Sequence, residues 1–375
     1  MKLKLLLGAA ALVAVLFAAH RYLNSGPSSR GSLETTTPTA SATSGAATTP
    51  VEEREKFRVG FLPVTCHLTC PVTSWVTQHA QGGTHFQSER FGDFPTMKEA
   101  LIARKLDATF MIVPLAMKLV ADGVPVKIVY LGHRDGSALT VAIDSPVKDF
   151  TELAGKRVAI PSRFSNQHLL MRRMMKQRGM EQGSIELVEM PPPEMPGALA
   201  AKAIEGYIVG EPHNAKAELG GYGRVLYFMK DLWPQFISCG LVVRQEVINE
   251  RPELVQELVD GIGSSGLWLD DEDEALALEH RRQASVVVGK VFYNQDPKLL
   301  EHVLTKPLDR VSYSNLTPPK DVFDEIMDLA VEMNVIGRRM AFEEYCDTRF
   351  APDLGALPRV TNFPPPPVAS GAGAK

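Results

Sequence analysis

LDATFMIVPLAMKLVADGVPVKIVYL, residues 106–131, contains a strand, a helix and a second strand in close succession. Asp107–Val113 is mostly apolar and is followed by a proline, which is typical of a buried strand. Leu115–Asp122 is closed by Gly123, as expected of a helix, and Val126–Leu131 is again apolar and rich in β-branched residues. This succession predicts a parallel α/β architecture.

The same alternation continues on both sides of this stretch. Further strands are predicted at Phe57–Leu62, His85–Arg90, Leu139–Ile143, Arg157–Ile160, Ile185–Glu189, Tyr207–Val209, Arg224–Phe228 and Leu241–Arg244. Beyond Asn249 the pattern changes to long helices, predicted at Pro252–Leu269, Glu274–Val288, Pro297–Leu304 and Pro319–Val335. Two α/β units with a helical C-terminal part indicate two lobes around a cleft.

The loops that follow the strands are where a binding site is expected. In open parallel sheets, ligands bind beyond the carboxyl ends of the strands, where loops lead into helix N-termini. Four loops are placed in this way: Pro63–Cys70, Val113–Leu115, Pro161–His168 and Gly210–Asn214.

Composition excludes several classes of protein. The chain has 375 residues and a net charge of −4, from 40 Lys and Arg against 44 Asp and Glu. A nucleic-acid-binding protein would normally carry a basic stripe and a high pI, so no nucleic-acid partner is expected. Four cysteines are too few for a disulfide scaffold. Only one segment is hydrophobic enough to enter a membrane, which excludes a polytopic permease or channel.

The N-terminal segment has the pattern of an export signal. Lys2 and Lys4 precede an uninterrupted apolar run from Leu5 to Ala19. Residues 1–24 are therefore predicted to be a signal peptide or, because the cleavage site is poor, a retained membrane anchor. Residues 25–56, mostly Ser, Thr, Ala, Gly and Pro, are predicted to be a disordered linker, and residues 363–375 a disordered tail. The expected location is periplasmic, with attachment to the inner membrane if the anchor is retained.

Three stretches of the folded part resemble a known family as a set. They are Leu106–Ala116 (LDATFMIVPLA), Phe150–Pro161 (FTELAGKRVAIP) and Tyr207–Ala215 (YIVGEPHNA). In order and spacing they resemble the nitrate/sulfonate/taurine/bicarbonate branch of ABC-transporter substrate-binding proteins, which is related to thiamine-pyrimidine binding proteins. The most specific piece is YIVGEPHNA, because nitrate- and bicarbonate-type proteins carry Gly-Glu-Pro-Trp-Asn there.

The resemblance implies the two-lobed α/β fold of periplasmic binding proteins of type II. Residues 57–138 together with 235–362 would form lobe I, and residues 139–234 lobe II. Members of this family bind a small, usually anionic solute between the lobes by hinge closure and deliver it to a permease and an ATPase. Those two subunits, together with the small-molecule ligand, are therefore the expected partners.

Cys66, His67 and Cys70 are the most unusual residues of the folded part, because three soft ligands fall within five positions. We expect them to line the ligand cleft, with His67 facing it. A transition metal is the alternative use, although no second cluster of Cys and His lies near in sequence. Cys66 and Cys70 could instead pair with each other or remain small buried groups. No cofactor or bound metal is predicted.

A second candidate group lies where a strand leads into a helix of lobe II. Arg163, Ser165, Asn166 and His168 could form an anion site, with Arg163 adding charge-assisted hydrogen bonds. The alternative is ordinary helix capping by Ser165 or Asn166, with a solvated Arg163.

The remaining candidates lie in two places: the loop after Tyr207–Val209, and the start of the helix predicted at Leu115–Asp122. Glu211 would contact ligand or form a structural ion pair with an Arg or His across the cleft. His213 stands where the family has an aromatic wall, and a pKa near neutrality would make binding depend on pH. The last three candidates are Asn214 and the apolar-wall residues Pro114 and Leu115.

The sequence predicts a solute-binding component of an ABC importer rather than an enzyme. It contains no Gly-x-Ser-x-Gly, His-Glu-x-x-His or Gly-x-x-x-x-Gly-Lys motif. Two alternatives remain open. One is an enzyme of the pyrimidine-synthesising branch that uses Cys66, His67 and Cys70, and the other is a membrane-tethered solute sensor.

Overall fold

The structure, a computed structural model, describes residues 54–367. The predicted signal peptide or anchor at residues 1–24, the linker as far as residue 53 and the tail from residue 368 lie outside the described residues. Strands and helices alternate through most of the described chain, and the predicted α/β fold with two sheets is confirmed.

The strands form two five-stranded sheets and one small two-stranded sheet. The strands are β1 (Lys56–Phe61), β2 (His85–Arg90), β3 (Ala108–Ile112), β4 (Val126–Leu131), β5 (Arg134–Asp135), β6 (Ser137–Ala142), β7 (Arg157–Ile160), β8 (Glu186–Glu189), β9 (Gly206–Gly210), β10 (Gly223–Phe228), β11 (Cys239–Arg244) and β12 (Val311–Ser312). The first sheet has the order β2-β1-β3-β11-β4, and the second has the order β10-β6-β9-β7-β8.

Helices cover the sheets and form most of the C-terminal part. They are α1 (Thr69–Gln78), α2 (Phe94–Ile102), α3 (Val113–Ala121), α4 (Asn166–Gln177), α5 (Met195–Ala200), α6 (His213–Leu219), α7 (Met229–Leu232), α8 (Gln245–Glu250), α9 (Pro252–Leu269), α10 (Glu274–Val287), α11 (Pro297–Thr305), α12 (Lys320–Glu332) and α13 (Phe342–Tyr345). Most of their apolar faces are buried in one extensive core, and those of α5 and α6 contribute to a second, smaller cluster. Within residues 54–367, no helix combines the length and apolar character needed to cross a bilayer.

One strand of each large sheet runs antiparallel to its neighbours, which corrects the expectation of parallel strands. β11 is antiparallel to β3 and β4, and β6 is antiparallel to β9 and β10. Each of them is the first strand that the chain enters after it crosses from one sheet to the other. The crossings lie at the carboxyl ends of the parallel strands, since Cys239 pairs with Ile112 and Ser137 with Gly210. A strand that begins at this edge must run away from it, opposite to its neighbours.

The two crossings lie side by side, joined by hydrogen bonds between Asp135 and Phe236. The first runs from Leu131 to Ser137 and contains β5, which pairs with β12 from the C-terminal part of the chain. The second contains α7 and ends at Cys239. Because β6 begins at Ser137, the predicted lobe boundary between residues 138 and 139 falls inside a strand.

The described chain makes contacts at both predicted boundaries of the folded part. Arg54 is buried and donates hydrogen bonds to the carbonyl oxygens of Gln78 and Gly82, although the predicted linker continues to residue 56. At the other end, Trp75 Nε1 donates to the carbonyl oxygen of Pro364 at 2.9 Å. Pro364 lies within residues 363–375, for which a disordered tail stays a prediction.

Candidate functional site

A cavity of about 300 Å³ lies between the carboxyl edges of the two large sheets. The first lobe contributes the start of α2 with the residue before it, together with α3, and the second contributes the end of β8 and the loops after β7 and β8. Among the lining residues are Asp93, Phe94 and Leu115 from the first lobe and Pro161, Phe164 and Glu189 from the second. The walls are mostly apolar, and both lobes must come together to form them.

A buried polar floor lies next to this cavity. Phe94 lines the cavity, and its ring packs edge-on against the ring of His67 with 6.1 Å between centroids. His67 is fully buried, as are several polar neighbours contributed by both lobes. Among the described residues, five side-chain atoms of this region are buried without a hydrogen-bond partner: Thr65 Oγ1, His67 Nε2, His133 Nε2, Asn166 Oδ1 and Gln167 Oε1. Leaving such atoms unpaired costs about 1–3 kcal/mol each, so the region is suited to a polar guest.

Cys66, His67 and Cys239 meet at this floor. A sulfur from each cysteine and a ring nitrogen of His67 lie within 4.8 Å of one another. Cys66 and His67 occupy a turn of 3₁₀ helix at Thr65–His67, and Cys239 is the first residue of β11. The two sulfurs are 3.2 Å apart. The cysteine nearest to Cys66 is thus not Cys70, which the sequence suggested as a partner.

The hydrogen bonding of His67 argues against its use as a metal ligand. The Leu62 N–H donates to His67 Nδ1 at 2.7 Å, so this nitrogen uses its lone pair as an acceptor. In the neutral ring the proton then lies on Nε2. Neither nitrogen keeps a free lone pair for a metal ion. The absence of a bound metal stays a prediction, and the hydrogen bonding of the His67 ring supports it.

The two cysteines at the floor differ in protonation. Burial raises the pKa of the Cys66 thiol, and the neighbouring Cys239 adds to this shift. Burial acts in the same direction on Cys239, but the neighbouring Cys66 opposes this shift, so that the pKa of the Cys239 thiol is lowered. Cys239 is therefore the more acidic of the two thiols.

Cys70 lies one turn further on, in α1, and takes no part in this cluster. It is buried, and burial alone raises the pKa of its thiol. All four cysteines are free thiols in the structure, so Cys66 and Cys70 are not paired. Lining of the cleft by Cys70 stays a prediction.

The N-terminus of α4 contributes the second lobe's part of the floor. Ser165 caps the helix by accepting from the His168 N–H at 3.1 Å and donates to the Ser162 carbonyl, so its hydroxyl is fully used. Asn166 Nδ2 donates to the Ile237 carbonyl on the second crossing. Gln167 Nε2 reaches the hydroxyls of Ser137 and Ser238 at 3.2 and 3.1 Å.

Two predicted members of this group lie away from the floor. Arg163 is two-thirds exposed and forms an ion pair with Glu189 at 2.8 Å, so its charge is already balanced. His168 Nδ1 contacts the Arg163 carbonyl, and burial lowers the pKa of its ring. Ligand contacts for Arg163, Ser165 and His168 stay predictions, while the helix-capping alternative describes what Ser165 does.

Glu211 forms a buried ion pair, the structural alternative expected for it. Its carboxylate meets Arg310 with N–O distances of 2.6 and 2.8 Å and accepts from the Ala215 N–H at 3.0 Å. Burial raises the pKa of Glu211, and Arg310 opposes that shift. Asn214 is likewise occupied, since it donates to the Val209 carbonyl and accepts from Thr140.

The apolar-wall residues lie at the start of α3. Leu115 lines the cavity and is nearly buried. Pro114 is within the first turn of the helix, where its missing N–H costs nothing. Contact with a ligand stays a prediction for both.

His213 and His133 are buried and uncharged, which predicts a loss of stability in acid. Burial lowers the pKa of each ring to about 3. In the unfolded chain the value is near 6.5, so the folded state binds fewer protons below that pH. Each histidine stabilises the fold fully above about pH 6.5, and its contribution falls by about 1.4 kcal/mol per pH unit down to about pH 3.

Urea unfolding measured between about pH 7.5 and about pH 5 should show this slope. The variant His213→Gln should have a shallower slope than the parent protein. An unchanged slope in that variant would show that His213 titrates normally. Because the pKa of His213 lies far from neutrality, this residue should not make ligand binding depend on pH between about 6 and about 8.

Several residues of the floor were missed by the sequence prediction. They are Thr65, His133, Ser137, Gln167, Ser238 and Cys239. Four of them lie on the crossings or next to them, and only their position between two sheets brings them to the site. Thr65 and Gln167 had a local signal, since each lies in a predicted loop beside a predicted site residue.

Two α/β lobes with these strand orders, two crossings and a cleft between them define the class of two-lobed periplasmic binding proteins. Within that class, the chain belongs to the NMT1-like family, whose model matches residues 51–282.

Curated relatives agree with this assignment. The nitrate import ATP-binding protein NrtC of Synechocystis is 28% identical over 186 residues, covering 45% of this chain and 28% of that protein. The nitrate/nitrite binding protein NrtA of Nostoc is 24% identical over 281 residues, covering 68% of this chain and 64% of that protein. The taurine-binding periplasmic protein of Escherichia coli is 27% identical over 145 residues, covering 38% and 44%. The chain thus spans less than two thirds of the length of each.

Solved structures share the fold. A zinc-bound ligand-binding component of an ABC-type import system from Staphylococcus aureus has a TM-score of 0.71 at 24% identity and covers 82% of this chain and all of that one. The nitrate-binding protein NrtA of Synechocystis has a TM-score of 0.65 at 14% identity, covering 75% and 82%. The desulfurization enzyme DszB also has this fold, with a TM-score of 0.56 at 13% identity, covering 79% and 97%.

Proposed function

We propose that this protein is the extracytoplasmic solute-binding component of an ABC importer. It would capture a small anionic solute between its lobes and release it unchanged to a permease and an ATPase. Relatives named for nitrate and taurine binding, and for nitrate import, support this role. The observation that carries the proposal is the buried floor, where unpartnered polar atoms from both lobes converge beside a cavity that neither lobe forms alone.

The charges near the floor favour a small anion held by neutral groups. Arg310 is balanced by Glu211 and Glu218, and Arg163 by Glu189, so each of these cations already has a carboxylate partner. Among the unpartnered atoms of the floor, the Thr65 hydroxyl and the His67 Nε2–H can donate, while the side-chain oxygens of Asn166 and Gln167 only accept. Neutral donors of this kind hold an anion by hydrogen bonds, without a full opposite charge.

An enzyme is the second candidate, favoured by one observation. Cys239 and His67 lie together in the buried floor, behind the cavity-lining Phe94, and a cysteine beside a histidine is the pairing of many nucleophilic sites. Against it, the His67 ring has no free lone pair with which to accept a proton, so it could not act as the base. Capture without chemical change therefore fits the geometry better.

A ligand screen tests the proposal. The full chain should be melted in the presence of sodium salts of nitrate, bicarbonate, taurine and short aliphatic sulfonates, with sodium chloride as the reference. One of these should stabilise the protein, by about 2.7 kcal/mol at one hundred times its dissociation constant. The compound should be recovered unchanged. No stabilisation by any of them would contradict the anion assignment, and a converted product would replace transport with catalysis.

A matched pair of variants locates the binding site. Gln167→Leu removes a floor amide, and Gln177→Leu makes the same change at the exposed end of the same helix. We expect the first to weaken binding of the stabilising anion about tenfold or more, because Gln167 Nε2 positions the Ser137 and Ser238 hydroxyls of the floor, and a lost hydrogen bond to a charged group is worth about 1.5–3 kcal/mol. Calorimetric titration of both variants measures this. Equal affinities would place the ligand elsewhere.

A further inference from the structure

The backbones of Cys66 and Cys239 both pack against Gly132. The Gly132 N–H donates to the Cys239 carbonyl at 3.2 Å, and a Cβ built on Gly132 would lie 2.1 Å from the Cys66 carbonyl oxygen. Both backbones are therefore packed against Gly132, on the first crossing. This arrangement places two residues that are 173 positions apart with their sulfur atoms at 3.2 Å.

The chemistry of the pair is that of an exchangeable dithiol. Cys239 is the more acidic of the two thiols, and exchange begins when one of the pair attacks a disulfide as a thiolate. Ser238 Oγ lies 3.6 Å from the Cys239 sulfur, and His67 is close to both cysteines. Polar groups therefore lie next to the sulfur at which a thiolate would form, where a buried charge would otherwise be costly.

We propose that Cys66 and Cys239 are a redox pair that closes to a disulfide by exchange with an external disulfide. One thiolate attacks a sulfur of the external disulfide, and half of that molecule leaves as a thiolate. The second cysteine, deprotonated, then attacks the mixed disulfide and expels the other half. The protein loses two protons and two electrons, and the external disulfide takes them up to become two thiols.

The other two cysteines are placed as internal controls. Cys70 is buried in α1, outside the cluster. Cys346 follows α13 and bridges to Ile128 on β4, and burial raises the pKa of its thiol to about 12. Since neither has a sulfur neighbour within hydrogen-bond distance among residues 54–367, neither should compete for the pairing.

Both reacting side chains are buried, so exchange in the folded protein should be slow. The disulfide would form either while the chain folds after export or when the lobes open. The proposal does not depend on the identity of the solute, and it holds or fails independently of the transport role.

The test counts and maps thiols in the full chain. Reduced protein is unfolded and refolded in a mixture of oxidised and reduced glutathione, then alkylated in denaturant and digested. Two of the four cysteines should be alkylated, the intact mass should fall by two hydrogen atoms before alkylation, and the linked peptide should join Cys66 to Cys239. Refolding with reduced glutathione alone should leave four alkylated thiols.

Serine variants test which cysteines the disulfide requires. C346S should keep the Cys66–Cys239 link, while C239S should lose every intramolecular link and leave three thiols free or glutathionylated. Four free thiols in the oxidised parent protein, glutathione adducts without closure, or a link to Cys70 would each overturn the proposal. The parent protein alone gives a decisive result if a variant fails to fold.

Discussion

Arg310→Met should destabilise the protein by about 3–5 kcal/mol, because it removes the partner of a buried carboxylate. Glu211 is 1% exposed and Arg310 is 3% exposed, so neither charge can be solvated in place. Methionine keeps most of the volume of the arginine stem, and the loss is therefore electrostatic rather than a packing defect. The free energy of unfolding in urea measures it.

A second variant distinguishes the unpaired charge from other effects. Glu211→Gln combined with Arg310→Met removes both charges, and should recover a large part of the stability lost in the single variant. Arg157→Ala breaks an exposed pair with Glu186, at 3.2 Å, and should cost about 0–1 kcal/mol. Equal losses from Arg310→Met and Arg157→Ala would show that the buried pair contributes nothing special.

The Glu211–Arg310 ion pair lies where the second lobe meets the first crossing. Arg310 precedes β12, which pairs with β5 on the first crossing, and its carbonyl accepts from the Gly136 N–H. Glu211 follows β9 of the second lobe, and its N–H donates to the Gly136 carbonyl. The ion pair thus connects the second lobe to the first crossing, beside the loop that leads to Cys66.

Local signals in the sequence predicted the elements of the fold well. Val126–Leu131 and Pro252–Leu269 have the predicted bounds in the structure, because glycine and proline mark their ends. Strand direction was not predictable in this way. β6 and β11 have the same apolar character as their parallel neighbours, since a strand pattern with a period of two residues reads alike in both directions.

The candidate site could be predicted only in part, and the reason is distance along the chain. His67 and Asn166 were found because each follows a predicted strand. Cys239 and Arg310 were not, because their partners lie 173 and 99 residues away and nothing beside them indicates the pairing. Such contacts depend on the direction in which the crossings enter each sheet.

Gly132→Ala should lower stability by about 3 kcal/mol or more, at the upper end of overpacking effects. The added Cβ would lie 2.1 Å from the Cys66 carbonyl oxygen and 3.0 Å from the Phe110 ring. The nearest of these atoms belongs to the backbone, so no side-chain rotation can relieve the clash. The crossing or the Cys66 turn must move instead.

Gly210→Ala is the matched control, because Gly210 ends a strand on the opposite side of the floor. There the added Cβ would have its nearest neighbours at 3.8–4.0 Å, which is ordinary contact. We expect this change to be neutral or to stabilise slightly, since alanine reduces the freedom of the unfolded chain. Melting temperatures of the two variants compare the sites directly. Equal temperatures would mean that the Cys66 turn yields without cost, and the two sulfurs would then not be held in place by Gly132.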